Sequence, residues 1–288
     1  MPIKVGIFFL HKNHLKKFHV RRYKLLSLSQ SEFMKSVTII GAGNVAFHLT
    51  RAFVSNTVQV NQIYNRTLAK AETIGEANGI RYTDKISELE HSDLFIISSS
   101  DAAIEELSMH IPFNDVMVVH TSGAMPMSTL KGKYRKGVLY PLQTFSQNRK
   151  LNYSEIPFFV EAENPEDEKA LLELAERVSN RAKILNSEQR AQMHLSAVWA
   201  CNFANHMYYI AHKTAEEAGL GFEYLRPLIE ETALKIEDLT PFEAQTGPAK
   251  RNDQITIEKH LSLIKDSYLK DMYNDISNSI NKTYHGEL

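Results

Sequence analysis

The sequence contains a single cysteine, Cys201, among its 288 residues. One cysteine excludes an intrachain disulfide and a zinc site built from cysteines, so a reducing, cytoplasmic setting is the expectation. Long apolar runs are also missing, since no stretch approaches the roughly 20 residues of a transmembrane helix. The chain has no basic aromatic stripe and no nucleic-acid recognition motif. We expect no membrane partner, no nucleic-acid partner and no bound metal.

Acidic residues are scarce in residues 1–33, which hold seven Lys or Arg side chains against one acid, Glu32. The apolar run in this basic leader is too short for a membrane span, and no small-residue cleavage site follows it, which argues against a secretory signal. A targeting peptide and a nucleic-acid arm are alternatives. Because Met34 stands three residues before the first predicted strand, we expect translation to begin there and the leader to lie outside the fold.

Glycine is sparse, with 12 in the chain, and two of them follow the first predicted strand. Residues 37–40 favour a strand, and a helix-like stretch begins near Val45. In such a strand, turn and helix, Gly41 permits the turn, Gly43 lets the backbone approach a pyrophosphate, and Ala46 allows close packing. The amide groups at the helix start then face an anion. Contacts to a dinucleotide are therefore expected at Gly41, Gly43, Asn44 and Val45.

An acidic residue is missing at the end of the second predicted strand, residues 60–64. NAD-binding sites usually have Asp or Glu at this position, to accept hydrogen bonds from a ribose hydroxyl. This chain instead has Asn65, Arg66 and Thr67, and a guanidinium suits a phosphate. We interpret the three residues as a site for NADP, with Thr67 also capping the next helix. The alternative is a solvated arginine beside an ordinary cap.

The order of predicted elements indicates an α/β fold. Further short apolar strands are expected at residues 79–82, 93–98, 116–120, 137–140 and 157–161, separated by helices. This alternation is typical of a doubly wound parallel sheet, a Rossmann-like domain over residues 34–186. Residues 187–218 contain no Gly or Pro and predict one long helix. Two more helices are expected at 222–239 and 255–280, so residues 187–288 form an all-α domain.

Hydroxyl groups collect at the ends of two neighbouring strands. Ser98, Ser99 and Asp101 follow one strand, and Ser122 follows the next. Ligands of open α/β sheets lie beyond the carboxyl ends of the strands, so these residues are expected beside the nicotinamide half of a dinucleotide. Asp101 has the alternative role of a helix cap. Residues 140–146 form either a wall of the cleft or a rigid exit turn.

The long helix and one loop supply candidate substrate contacts. His194 and Asn202 lie within about 80° of each other on a helical projection, so one face combines a proton donor with an amide anchor. A buried histidine is also a common core residue. The loop 246–253 forms a turn with cations beside it, and its candidate contacts are Thr246, Gly247, Pro248 and Arg251. A solvated interhelical turn is the alternative.

These motifs resemble those of pyrroline-5-carboxylate reductase and coenzyme F420-dependent NADP reductase domains. With residues 140–145 and 246–253 added, the chain from Met34 onward resembles Rossmann-like proteins described as NADP oxidoreductases that carry a C-terminal helical domain of unknown function. The resemblance implies a helical domain like that of 6-phosphogluconate dehydrogenase, often dimerised through its helices. Hydroxyacid dehydrogenases of that superfamily place a catalytic lysine on the long helix, which here has none before Lys213. Their mechanism is therefore not expected.

The sequence thus predicts an NADP(H)-dependent oxidoreductase that transfers a hydride to or from a small imine or carbonyl substrate. Its expected catalytic residues are His194, Asn202 and Ser122, and the expected assembly is a homodimer formed through the helical domain. A protein that binds NADP(H) as a sensor without turnover is one alternative. A transferase that uses S-adenosylmethionine is another, although such sites usually have an acid where Asn65 stands.

Overall fold

The computed structural model describes residues 34–286, which form two compact units that divide between Cys201 and Asn202. The prediction for residues 1–33 lies outside the described residues and stays a prediction. Within residues 34–286, no helix is both long enough and apolar enough to cross a membrane.

The first unit is built on one sheet of eight strands in the order β3-β2-β1-β4-β5-β6-β7-β8. The strands are β1 Ser36–Ile40, β2 Gln59–Tyr64, β3 Arg81–Thr83, β4 Leu94–Ile97, β5 Met117–His120, β6 Arg135–Pro141, β7 Phe158–Ala162 and β8 Ala182–Ile184. All neighbouring strands are parallel except β6 and β7. The predicted doubly wound sheet is confirmed. The connection from β6 to β7 contains a short 3-10 turn, Tyr153–Glu155, instead of a crossover helix, and β7 returns antiparallel.

Helices cover both faces of the sheet, which explains why its central strands are apolar throughout. These helices are α1 Asn44–Ser55, α2 Leu68–Asn78, α3 Asp101–Met109 and α4 Pro165–Glu176. Along β4, Leu94 and Ile96 join the apolar cluster that contains α1, α2 and α4 side chains. Phe95 and Ile97, which alternate with them, join a second cluster around Ile104 of α3. Strand β4 is therefore buried on both faces.

The long helix predicted over residues 187–218 is present with one irregularity. Helix α5, Ser187–Ala197, continues through a π-helical segment, Val198–Phe203, into α6, Ala204–Glu217. The two compact units divide inside this π-helical segment, whereas the predicted domain boundary lies at residues 186–187. Contacts of α5 with the sheet explain the difference, because the buried guanidinium of Arg190 pairs with Glu161 at the end of β7.

The second unit is helical, as predicted. It contains α6, α7 Arg226–Asp238, the short α8 Pro241–Ala244, α9 Gln254–Leu263 and α10 Ser267–His285. The predicted helix 255–280 is two helices, because Asp266 caps a new start with its carboxylate accepting from the Leu269 amide. Buried side chains are few in the described residues from Asn202 onward, namely Ala249, Ile257 and Ser277.

Candidate functional site

The turn after β1 fixes the geometry of the site. Gly41 has a φ of 121°, and a Cβ built on it would lie 2.0 Å from the carbonyl oxygen of Ser98. Its amide donates to the carbonyl of Tyr64 at 2.7 Å. The ends of β1, β2 and β4 therefore meet at this glycine, and any side chain there would overlap the Ser98 carbonyl. Gly43 differs, because a Cβ there would find no atom within 4 Å. The backbone at Gly43 is thus open to an approaching group.

A cleft of about 820 Å³ opens beside this turn, within the first unit. It lies at the carboxyl ends of the parallel strands, at the point where the strand order reverses between β1 and β4. All ten predicted cofactor contacts line it, together with Ser122 and His194. The ten are Gly41, Gly43, Asn44, Val45, Asn65, Arg66, Thr67, Ser98, Ser99 and Asp101.

Three helices start at the cleft without side-chain caps. The capping positions of α1, α2 and α3 are Gly43, Thr67 and Ser100, and none of them forms a side-chain cap hydrogen bond. The predicted cap at Thr67 is therefore wrong. The alternative role of Asp101 as a cap is wrong as well, because Asp101 is the first residue of α3 and its side chain is exposed. The uncapped amides at these helix starts remain available to an anion.

A buried hydroxyl points to a ligand at the same place. Ser98 lines the cleft and is 6% exposed, yet its Oγ has no hydrogen-bond partner among residues 34–286. Buried polar atoms in folded proteins nearly always have a partner. The open backbone at Gly43, the uncapped start of α1 and the Ser98 hydroxyl together fit a dinucleotide pyrophosphate. Asn44 contributes its backbone there, since its side-chain nitrogen donates to the Phe145 carbonyl at 3.0 Å.

Two cations stand at the end of β2. Arg66 is exposed and makes no hydrogen bond or ion pair with any other described residue, and Asn65 donates to the carbonyl of Thr67 at 3.0 Å. Lys70, in the first turn of α2, also lines the cleft and is also without an ionic partner among the described residues. The sequence interpretation missed Lys70, although its position three residues after Thr67 places it one helical turn away. The cleft therefore has a cationic end that fits a phosphate.

The opposite wall of the cleft brings together three residues that are far apart in the sequence. The Tyr140 hydroxyl on β6 lies 2.9 Å from Nδ1 of His194 on α5, and Gly123 lies against both rings. Burial raises the pKa of Tyr140 to about 12, and the positive charge of Arg190 opposes part of this effect. The phenol is therefore protonated at neutral pH. Residues 140–146 include this cleft wall.

The turn after β5 is held by internal hydrogen bonds. The Ser122 hydroxyl oxygen accepts from the amides of Ala124 and Met125 at 3.2 and 3.0 Å. The Ser122 amide donates to Nδ1 of His120 at 3.2 Å. Burial and the nearby charge of Arg190 lower the pKa of His120 to about 4, so its ring is neutral and can accept this bond. Ser122 thus lines the cleft while its oxygen stabilises the turn.

The remaining predicted site residues lie in the second unit. Asn202 is exposed in the π-helical segment, and the loop residues Thr246, Gly247, Pro248 and Arg251 belong to the same unit. The loop is well ordered by hydrogen bonds, including one from Nζ of Lys250 to the Gln245 carbonyl at 2.7 Å. Their predicted roles stay predictions.

Comparisons with known proteins match both units. Residues 156–280 match the model of a domain of unknown function (DUF2520), and residues 27–106 match shikimate/quinate 5-dehydrogenase. A Bacteroides fragilis protein named "putative NADP oxidoreductase" is 38% identical and has a TM-score of 0.82, with 86% of this chain and 98% of that chain covered. No curated protein matches the sequence.

Two further solved structures are similar in fold at lower identity. A reductive aminase from Aspergillus terreus in complex with NADPH and ethyl levulinate is 15% identical, with a TM-score of 0.65 and 88% of this chain and 96% of that chain covered. A pyrroline-5-carboxylate reductase from Coxiella burnetii is 14% identical, with a TM-score of 0.53 and 88% and 97% covered. These two likenesses show the fold alone.

Proposed function

The chain belongs to the family of proteins that join a Rossmann-like domain to a domain of unknown function (DUF2520), and we propose that it is an NADP(H)-dependent oxidoreductase. One observation carries the proposal: a cleft with an open glycine turn and an unpartnered buried hydroxyl, Ser98, ends at two cations, Arg66 and Lys70. A dinucleotide with an additional phosphate on its adenosine ribose matches this distribution.

The cofactor half of the site is assigned to residues that already face the cleft. The backbone around Gly43 and the start of α1 hold the pyrophosphate, and Ser98 donates its free hydroxyl hydrogen to it or to an adjacent ribose. Arg66, Thr67 and Lys70 bind the ribose phosphate. When bound, the cofactor supplies or accepts the hydride; the protein supplies position and a proton. The substrate is a small imine or carbonyl compound.

The preference for NADP(H) over NAD(H) rests on charge at the end of β2. An NAD site normally has a carboxylate at the position of Asn65, which would repel a phosphate. Here neither Arg66 nor Lys70 forms an ion pair with a carboxylate of the described residues, although Asp101 and Glu106 also line the cleft. A guanidinium that forms two charge-assisted hydrogen bonds to a phosphate is expected to contribute about 1.5–3 kcal/mol.

Calorimetric titration of the full chain with NADPH, NADH and S-adenosylmethionine tests the proposal. We expect NADPH to bind at least about tenfold more tightly than NADH, a difference of about 1.4 kcal/mol. Arg66→Ala should remove most of that preference and leave NADH affinity nearly unchanged. Arg149→Ala is the matched control, because Arg149 is exposed but does not line the cleft.

The outcomes separate the alternatives. Equal weakening of NADPH and NADH by Arg66→Ala would contradict the phosphate role of Arg66. Binding of S-adenosylmethionine in place of both nicotinamide cofactors would contradict the oxidoreductase and favour a transferase. Tight NADPH binding without hydride transfer to any member of a panel of small imines and carbonyls would favour a sensor.

We also propose that the second unit forms a homodimer interface. Many of its large apolar side chains are exposed, among them Tyr224, Leu228, Ile236 and Leu263, each more than half accessible. A second copy of the chain supplies a self-complementary partner for such a surface. Sedimentation equilibrium should give a dimer mass, and Leu228→Glu should shift the population toward monomer. A monomeric wild-type chain at micromolar concentration would contradict the interface.

A further inference from the structure

The Tyr140 and His194 side chains form a pair that the fold holds in one arrangement. The two rings meet edge to face with centroids 5.9 Å apart, and the hydroxyl lies 2.9 Å from Nδ1. A Cβ at Gly123 would approach both His194 Nδ1 and Tyr140 Cζ to 2.7 Å. The turn after β5 therefore packs directly against both rings and leaves no free space beside them. All three residues line the cleft.

The surroundings of Tyr140 keep its proton in place until a substrate arrives. The residue is 8% exposed, which disfavours the charged phenolate. The guanidinium of Arg190, itself 1% exposed and paired with Glu161, is the nearby charge that favours a phenolate. Arg190 therefore stabilises negative charge on the Tyr140 oxygen when a proton leaves.

The other hydroxyls of this wall are poorer donors. Thr121 and Ser122 also line the cleft, but an aliphatic hydroxyl is a far weaker acid than a phenol, and the Ser122 oxygen already accepts two backbone amides. His120 is fully buried and does not line the cleft. Of the polar groups on this wall, Tyr140 thus combines a transferable proton with a cleft-facing position.

We propose that Tyr140 donates the proton in the reduction and that His194 is the positioning residue that reprotonates the Tyr140 oxygen. This inference rests on the proposed function. A hydride supplied by the cofactor forms a bond to the carbon of the C=N or C=O group, and the π electron pair moves to the nitrogen or oxygen. That atom takes the proton of the Tyr140 hydroxyl, and the phenolate takes the Nδ1 proton of His194 across their hydrogen bond. Water then returns a proton to Nδ1 and leaves as hydroxide, so the pair regains its starting state.

The direction of the hydrogen bond in the pair decides whether Tyr140 can act. If Nδ1 is unprotonated, the phenol donates to it and its only hydrogen is occupied. If Nδ1 carries a hydrogen, the imidazole donates to the phenol oxygen, and the phenol hydrogen is free for the cleft. The tautomer of His194 is therefore part of the proposal, and it is observable without any turnover.

A second Tyr and His pair in the same unit provides a matched control. The Tyr153 hydroxyl lies 3.0 Å from Nδ1 of His48, and neither residue lines the cleft. Tyr153→Phe therefore removes the same kind of hydrogen bond as Tyr140→Phe does. A difference in activity between the two variants is therefore due to the position of Tyr140 in the cleft, because both variants lose a phenol hydroxyl.

The experiment combines nitrogen NMR of ¹⁵N-histidine-labelled full-length protein with kinetics. His194→Gln assigns the His194 signals, and spectra are recorded for the wild type, Tyr140→Phe and Tyr153→Phe, each with and without NADP⁺. We expect Tyr140→Phe to shift the His194 Nδ1 signal and Tyr153→Phe to leave it in place. NADPH affinity should stay within about twofold in both variants, a change below about 0.5 kcal/mol.

Kinetics use the imine or carbonyl compound that the wild type reduces fastest in the panel. Loss of a general acid should lower kcat in Tyr140→Phe by about 10²–10⁴-fold with little change in KM. His194→Gln, which keeps a hydrogen-bonding side chain, should retain more activity than His194→Ala. Unchanged kcat in Tyr140→Phe, or an unshifted His194 signal, would overturn the inference while leaving the oxidoreductase intact. Wild-type protein that binds no NADPH would overturn the proposed function, and with it the role of Tyr140.

Discussion

Three glycines allow the backbone argument for the cofactor site to be tested by single methyl groups. Gly41 has a φ of 121° and its added Cβ would lie 2.0 Å from a backbone oxygen. Gly79 has a φ of 66° with no atom within 4 Å of an added Cβ. Gly43 has a φ of −82° and is equally open. The three alanine variants therefore test three effects separately. Gly41→Ala combines backbone strain with steric overlap, Gly79→Ala introduces backbone strain alone, and Gly43→Ala affects only the access of a ligand to the backbone.

The expected magnitudes follow from these geometries. A non-glycine residue in a glycine-only backbone region costs about 1–3 kcal/mol, and an overlap that the packed strand ends cannot relieve costs about 1–3 kcal/mol more. Gly41→Ala should therefore lower the free energy of unfolding by about 2–6 kcal/mol. Gly79→Ala carries the strain alone, about 1–2 kcal/mol. Gly43→Ala should change it by less than about 1 kcal/mol, since Gly43 occupies a cap position.

Gly43→Ala, which should affect stability least, should affect NADPH binding most. A methyl group at Gly43 occupies the space through which a pyrophosphate approaches the backbone, so NADPH affinity should fall at least about tenfold. Urea unfolding and calorimetry on the same preparations measure both quantities, with Gly79→Ala as the control for binding. Gly43→Ala with wild-type NADPH affinity would refute the assignment of the turn. Gly41→Ala as stable as Gly79→Ala would refute the overlap at Ser98.

Two buried charged or titratable groups give further predictions. The pKa of His120 falls from 6.5 to about 4 on folding, so as the pH drops His120 is protonated in the unfolded chain before it is protonated in the folded chain. The stability that this group contributes is complete above pH 6.5 and is lost toward pH 4, at most about 3 kcal/mol. His120→Asn, which keeps an acceptor for the Ser122 amide, should lose less stability than the wild type between those pH values in urea unfolding; equal losses would count against His120. Arg190→Leu leaves the partly buried Glu161 without its ionic partner, with only the Ser187 hydroxyl donating to it, and should lower the free energy of unfolding by about 3–5 kcal/mol. A loss below about 1 kcal/mol would show that Glu161 is hydrated or protonated at little cost.

The parts of the fold that the sequence predicts well are those encoded by short local patterns. The strand, glycine turn and helix around Gly41 lie as predicted. Strand β8 was missed because its three residues, Ala182–Ile184, lie at a sheet edge and are partly exposed. Such a segment has no apolar pattern that would distinguish it from a loop.

The wall of the cleft that contains Tyr140 and His194 shows a different limit. Gly123, Tyr140 and His194 come from three elements, and their contact depends on the packing of α5 against the sheet through Arg190 and Glu161. A helical projection places His194 on a face but does not show what that face touches. The sequence therefore predicted His194 as a candidate site residue but did not predict Tyr140, its hydrogen-bond partner.

The errors in the predicted caps are informative about function. Helices α4, α5, α8, α9 and α10 have side-chain caps from Asn164, Asn186, Thr240, Asp253 and Asp266, whereas α7 has none and has a proline in its first turn. Helices α1, α2 and α3, which start at the cleft, have none. Each missing side-chain cap leaves amide donors open to the cleft, at a cost of a few tenths to about 1 kcal/mol per helix. A bound anion can satisfy these donors, so the local rule fails at the three helix starts where a dinucleotide is proposed to bind.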